Sequence, residues 1–179
     1  MEPLEAFFRY YSWFNYFWWQ SASVQFNRLR EEARRRGDYD NDTAWQGYRT
    51  ALVRQFNSSY SADENDLAAW HNLLRHIGIT DPPMTVVECK ILIEGKFINL
   101  VDLVDARTDS NRVIRHFANE VELSVYTLSR GKVFPRKHIE AGSLLEYLLR
   151  NIVNPNPDRH DPTQSPKKGK GKKRHYKRR

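Results

Sequence analysis

The chain has 179 residues, 40% of them hydrophobic and 13% aromatic, which suits one domain with a substantial core plus a tail. Its single cysteine, Cys89, excludes an internal disulfide framework and a thiolate metal site, and accords with a reducing compartment. The net charge of +7 is uneven: residues 154–179 carry ten Lys/Arg and two Asp/Glu, leaving residues 1–153 nearly neutral at −1, so any argument from basicity to nucleic acid concerns the tail alone.

The first residues, MEPLEAFF, hold no basic segment ahead of an apolar one and no small-residue cleavage site, so no secretory leader is expected. Between Phe7 and Trp19, ten of thirteen residues are aromatic. The polar residues Arg9, Ser12 and Asn15 fall three apart, which on a helix gives a drifting polar stripe on a mostly apolar cylinder. With Pro3 suited to a first turn, the pattern predicts an aromatic-rich helix over about 4–19, with a break near Asn15. Arg9, Ser12, Asn15 and Gln20 interrupt it too often for a membrane span, which needs about 20 apolar residues.

Ten rings, each burying about 150–250 Å², exceed what one helix can hide against one neighbour. Part of the segment is expected to pack on the body. The surplus, Trp13, Phe14, Phe17, Trp18 and Trp19, is expected to offer a hydrophobic surface to a protein partner or a second copy. A membrane-surface helix would carry more cations on its polar face. A base-stacking platform would carry them in the same segment, whereas Arg28, Arg30 and Arg34 come later.

Ser21 or Ser23 can cap a second helix with Val24, Phe26, Leu29 and Ala33 inward, ending at Gly37 beyond an Arg34–Arg36 run. Thr43 opens a third, in which Trp45, Tyr48, Leu52, Phe56 and Tyr60 recur at helical spacing, with Ala51 and Val53 flanking. Asp63 or Asn65 caps a fourth, with Leu67, Trp70, Leu73, Leu74 and Ile77 inward. Pro82 and Pro83 mark a turn before VVECKILIE, where Thr85 and Glu88 have capping-box spacing. Asn99 caps LVDLVDAR, with Asp102 and Asp105 assigned to its solvated face. Residues 107–118 are ambiguous between strand and loop. Asn119 with Glu122 caps VELSVYTLSRG, and a last helix follows Pro135, with Ile139, Leu144, Leu145, Leu148 and Ile152 on its core side. No alternation lasts long enough to found a sheet, so the fold class is all-α: a compact orthogonal bundle of six to eight short helices over 1–153, with a disordered basic tail from Asn154 onward.

The blocks YRTALVRQFNSSYSADENDLAAWHNLLRHIGI, NLVDLVD and EAGSLLEYLLRNI resemble a family of small uncharacterised fungal proteins with an aromatic N-terminal segment, a helical body and variable tails. The resemblance implies one helical domain and a fungal source. It brings no activity, cofactor or catalytic residue with it.

In the tail, Lys167, Lys168, Lys170, Lys172, Lys173, Arg174, Lys177, Arg178 and Arg179 form a run able to neutralise phosphates without sequence preference, and Lys167-Lys168-Gly169-Lys170 has the form of a short nuclear-import signal. Tyr176 adds one ring for stacking. Ser165, followed by Pro166, Lys167 and Lys168, is a candidate phosphosite whose charge would oppose that run. His71 and His76, five apart, point to different sides of a helix, and His116, His138, His160 and His175 show no ligand spacing. Cys89 reads as a buried small side chain. No glycine-rich phosphate loop, G-x-S-x-G or H-E-x-x-H is present, so no cofactor, metal or catalytic residue is assigned. The expectation is a non-enzymatic binding or adaptor protein of the nucleus, with a cytoplasmic module whose tail meets RNA or acidic partners as the alternative.

Overall fold

The structure, a computed structural model, describes residues 1–37, 40–108, 113–136 and 143–164. Among them are eight helices: α1 (Pro3–Tyr10), α2 (Ala22–Arg36), α3 (Asn41–Tyr60), α4 (Leu67–His76), α5 (Val86–Glu94), α6 (Leu100–Thr108), α7 (Glu120–Ser129) and α8 (Leu144–Leu148). Two-residue strands β1 (Phe97–Ile98) and β2 (His116–Phe117) pair antiparallel, with Phe97 opposite Phe117. The fold is thus all-α, and the ambiguous 107–118 region resolves in part as β2.

Helix α3 is the axle, packing against α1, α4, α6 and α8. Its predicted stripe is the core: Tyr48, Leu52, Phe56 and Tyr60 are buried with Ala51 and Val53, while Trp45 packs on the edge. The helix begins earlier than expected, because Asp40 rather than Thr43 caps it, accepting from the Asp42 and Thr43 amides at 3.0 and 3.1 Å. Asp66, not Asp63 or Asn65, caps α4 in the same way. Thr85, Asn99 and Asn119 cap α5, α6 and α7 as read from the sequence. Helix α2 ends at Gly37, whose φ of 75° is open to glycine and strained for other residues. Val24 of α2 is 48% exposed, and its inward place is taken by Gln25, which is fully buried.

Three expectations are corrected. The aromatic segment is helical only to Tyr10; residues 11–20 run as turns closed by the Phe14 amide on the Tyr11 carbonyl and the Gln20 amide on the Phe17 carbonyl. Consecutive aromatic residues lose rotamer freedom in a helix, and turning lets rings fall on both sides of α1 and α2. Phe8 stacks on Tyr16 at 5.0 Å and meets Phe14 at 5.8 Å, which a straight helix would forbid.

The last helix is one short piece, Leu144–Leu148, with those three leucine core positions buried. Ile139 lies outside the described residues, and Ile152 packs on the smaller cluster of Phe97, Phe117 and Leu123. The chain leaves helical geometry at Leu149 because Arg150 caps the end itself, donating to the Tyr147 and Leu149 carbonyls and across to those of Ile93, Glu94 and Lys96.

Residues 154–164, assigned to the disordered tail on composition, are folded onto the body. Asn119 bridges His160, and the Asp161 amide donates to the Ala118 carbonyl at 2.8 Å. Buried Glu120 accepts from the Asn151 and Asn156 amides at 2.9 and 2.6 Å. Lys96, itself buried, holds Asp161 at 3.1 Å and donates to the Thr163 hydroxyl at 2.7 Å. The structured body therefore reaches Gln164 and carries a net charge of −2, and residues 165–179 carry +9.

Candidate partner interface

The chain's surplus of rings gathers on one surface, built from the 11–20 turns laid against α2. Two buried glutamines fasten the N-terminal segment, one at the start of α1 and one at the turns. Gln55 of α3 accepts from the Leu4 amide at 3.2 Å and donates to Glu2 at 2.6 Å, and Gln25 of α2 donates to the Phe17 carbonyl. Asp105 reaches from α6 to the start of α2, accepting from the Ala22 amide at 2.9 Å and the Ser21 hydroxyl at 2.5 Å. A carboxylate at that helix end satisfies an orphan amide and suits the helix dipole. The solvated face assigned to Asp102 and Asp105 is corrected accordingly. Asp105 is 5% exposed, and half-buried Asp102 accepts from the Tyr126 hydroxyl at 2.8 Å and pairs with Lys132.

The five aromatic residues predicted as a partner surface divide. Phe14 is buried and belongs to the core, which corrects its assignment. Trp13 and Phe17 are half-buried, the former packed on the core. Trp18 and Trp19 stand 60% and 53% exposed, their rings edge to face at 5.8 Å, with Phe17 5.0 Å from Trp19. Tyr10, missed by the sequence reading, is 83% exposed at the end of α1, its ring edge to face with Tyr11 at 5.3 Å.

Cations that looked remote in the sequence close on these rings. The Arg28 guanidinium lies 5.1 Å from the Phe14 centroid and 4.8 Å from that of Phe17, and Arg36 lies 4.7 Å from Trp13. Arg28 also donates to Gln20, Gln25 and the Asn15 carbonyl, so it pins the turns rather than waiting for a ligand. On another side of Trp18 lies a hollow of about 260 Å³ lined by Glu2, Glu5, Asp105 and Tyr16 among others. Burial first, and then the negative charges of Glu5 and Asp105, raise the Tyr16 phenol above its ordinary pKa. Trp18 also lines this hollow, and its carboxylates are already bonded: Glu2 to Gln55, Glu5 to Arg9, and Asp105 to Ser21 and Ala22. Exposed rings framed by paired charges of both signs suit a protein surface.

The other candidates have structural employment. His71 meets the Pro83 carbonyl at 2.9 Å, His116 the Ile77 carbonyl at 2.7 Å, and His76 the Tyr60 hydroxyl. Cys89 is buried, its thiol 3.4 Å from the Pro83 carbonyl, and burial pushes its pKa up. Among the described residues no three His, Cys, Asp or Glu side chains gather as a metal site, and no helix is long and apolar enough to cross a membrane. The tail residues Lys167 to Arg179, Ser165, His138 and His175 lie outside the described residues. No protein-family model matches the chain, and neither a curated protein nor a solved structure is significantly similar to it.

Proposed function

We propose that this chain is a non-enzymatic binding or adaptor protein. Its helical body engages a protein partner through the Trp18–Trp19 surface. Its basic tail attaches to nucleic-acid phosphates or to an import receptor, which would bring the protein to the nucleus; a cytoplasmic role on RNA is the alternative destination. The observation that carries the reading is a pair of tryptophans more than half exposed on a segment whose neighbours are buried and hydrogen-bonded. Rigid aromatic anchors of this kind dominate the energetics of protein contacts. The hollow beside Trp18, whose carboxylates are already bonded within the chain, favours a partner that presents an apolar side chain flanked by polar groups. The sequence blocks noted above further support kinship with the small fungal family.

The two halves of the proposal are tested apart. Trp18→Ser with Trp19→Ser, introduced into the full chain, should leave the melting temperature within about 2 °C, since exposed substitutions cost little, while abolishing capture of the partner or concentration-dependent self-association in sedimentation. Replacing Lys167, Lys168, Lys170, Lys172 and Lys173 by Gln should flatten the salt dependence of DNA and RNA binding, each lost phosphate contact removing about 0.7–0.9 from the logarithmic slope. An unchanged slope sinks the tail's role, and unfolding of the tryptophan variant sinks the interface.

A further inference from the structure

A second and larger cavity, of about 370 Å³, lies between the start of α6, α7, the 132–136 segment and the 148–153 stretch, with Trp45 and Arg49 of α3 also on its wall. Its size falls within the range of small-molecule sites, about 300–1,000 Å³. The walls are chiefly apolar: Ile98, Leu100, Leu123, Phe134 and Ile152 all contribute. Four cations, Arg49, Lys132, Arg136 and Arg150, line it as well, and among the described residues no carboxylate does.

The balance of those charges differs from one to the next. Lys132 is paired with Asp102. Arg150 spends its terminal nitrogens on backbone carbonyls, and its buried Nε has no partner among the described residues. Burial first, with Arg159 nearby, draws the Arg150 pKa down to about 10, so it stays charged at neutral pH. The guanidinium groups of Arg49 and Arg136 make no hydrogen bond or ion pair among the described residues. An apolar cavity with uncompensated positive charge at its wall has a defined complement: an apolar body ending in anionic oxygens that an arginine fork can grip.

We propose that this cavity binds a small amphipathic anion, an aliphatic or aromatic body carrying a carboxylate or phosphate head, with Arg49 and Arg136 holding the head and the leucine, isoleucine and phenylalanine walls holding the body. The site is independent of the tryptophan surface and of the tail.

The test is isothermal titration of the full chain with decanoate, decyl phosphate, 1-decanol and inorganic phosphate, below micellar concentrations. Decanoate or decyl phosphate should bind saturably at one per chain, and whichever binds more tightly identifies the head. Decanol and inorganic phosphate, each lacking half of the complement, should bind at least about tenfold more weakly, the effect expected of losing charge-assisted hydrogen bonds or apolar burial. Arg49→Met with Arg136→Met should weaken the anion by a similar factor at unchanged melting temperature. The tail Lys→Gln variant and the Trp18→Ser, Trp19→Ser variant should bind as the parent does. The proposal is overturned if neither anion binds saturably, if decanol matches decanoate, or if binding follows the tail or the tryptophans instead of the two arginines.

Discussion

Two stretches of irregular chain, the 11–20 turns near the N-terminus and the 149–164 strap near the C-terminus, are fixed to the same helical body by opposite means. The turns are held by rings: Phe14 is buried, Tyr16 stacks on Phe8, and Arg28 lies over Phe14 and Phe17. The strap is held by charge and backbone: Arg150 gathers five carbonyls, Glu120 accepts two amides, and Lys96 pairs with Asp161. An irregular segment leaves amides and carbonyls that must find partners somewhere. The turns meet the problem with local bonds, and with Gln25 and Arg28 reaching from α2 to two of their carbonyls, beneath an apolar cover. The strap meets it with buried ions, which stay buried only while every lone pair and proton is matched.

The comparison breaks most sharply at its two anchors. Arg150→Leu removes the donor for five carbonyls and should cost about 3–5 kcal/mol in urea denaturation. Phe8→Ala, at a ring with no exposure, should cost a similar 3–5 kcal/mol through the cavity it leaves. Amide exchange separates them. The Asn151, Asn156 and Asp161 amides should lose protection first in the arginine variant, and the Phe14 amide first in the phenylalanine variant. Equal loss at both ends from either change would mean that the two regions unfold as one unit.

Extremes of pH should then peel the regions apart in opposite directions. Burial by itself raises the Asp161 pKa, but the Thr163 hydroxyl and amide and the Lys96 ammonium outweigh it and hold the carboxyl below its ordinary value. A depressed carboxylate contributes stability that is present above the unfolded pKa of about 3.9 and is lost as pH falls through the folded value. The strap should therefore loosen in acid, and Asp161→Asn should be less stable than the parent at pH 7 while the two curves converge below about pH 4. The rings behave the other way. Burial raises the phenols of Tyr16 and Tyr48, so their contribution is complete below about pH 10 and is lost as pH rises through the folded values. Near-ultraviolet circular dichroism of the rings should persist in acid and fail in alkali; loss of the ring signal at pH 4 would contradict the division.

The same contrast explains which parts of the molecule could be read in advance. Helical spacing located the core stripe of α3 and the buried Trp70, Leu73 and Leu74 of α4, because those side chains face one large apolar cluster. Thr85, Asn99 and Asn119 were legible as caps because a cap is a local bond. The exposed tryptophans were legible as a surplus of rings, but not their frame. Arg28 and Arg36 reach the rings only because the chain reverses after Tyr10, and Asp105 meets Ala22 across more than eighty positions. A strict i,i+3 pattern gave Asp102 and Asp105 the same role, whereas α6 packs on α2 through Asp105. The strap was illegible for a different reason. Its prolines, asparagines and charges carry no hydrophobic signal, and the partners that order it, Lys96 before β1 and Glu120 in α7, sit far from it in the sequence.

The finest test places a single methyl group under the strap and another under Phe7, the α1 ring that packs on Tyr11 at the start of the turns. In Gly47, in the second turn of α3, a Cβ would meet the Phe7 ring edge at 3.0 Å; in Gly95, at the end of α5, it would meet Pro162 at 3.1 Å. Phe7 is half-buried at the margin of the cluster, against the Phe8, Tyr11, Phe26 and Tyr48 rings, and a shift of its open edge would relieve the contact. Gly47→Ala should therefore keep most of the helix propensity gained over glycine, up to about 1 kcal/mol, and raise the melting temperature slightly. Pro162 has no such freedom, because its ring is fixed in the chain between Asp161 and Thr163, both bonded to Lys96. Gly95→Ala should cost about 1 kcal/mol by overpacking and lower the protection of the Asp161 amide. If the signs are reversed, the ring-held turns are the stiffer of the two segments, and a strap tied by buried ions yields more readily than one tied by packed rings.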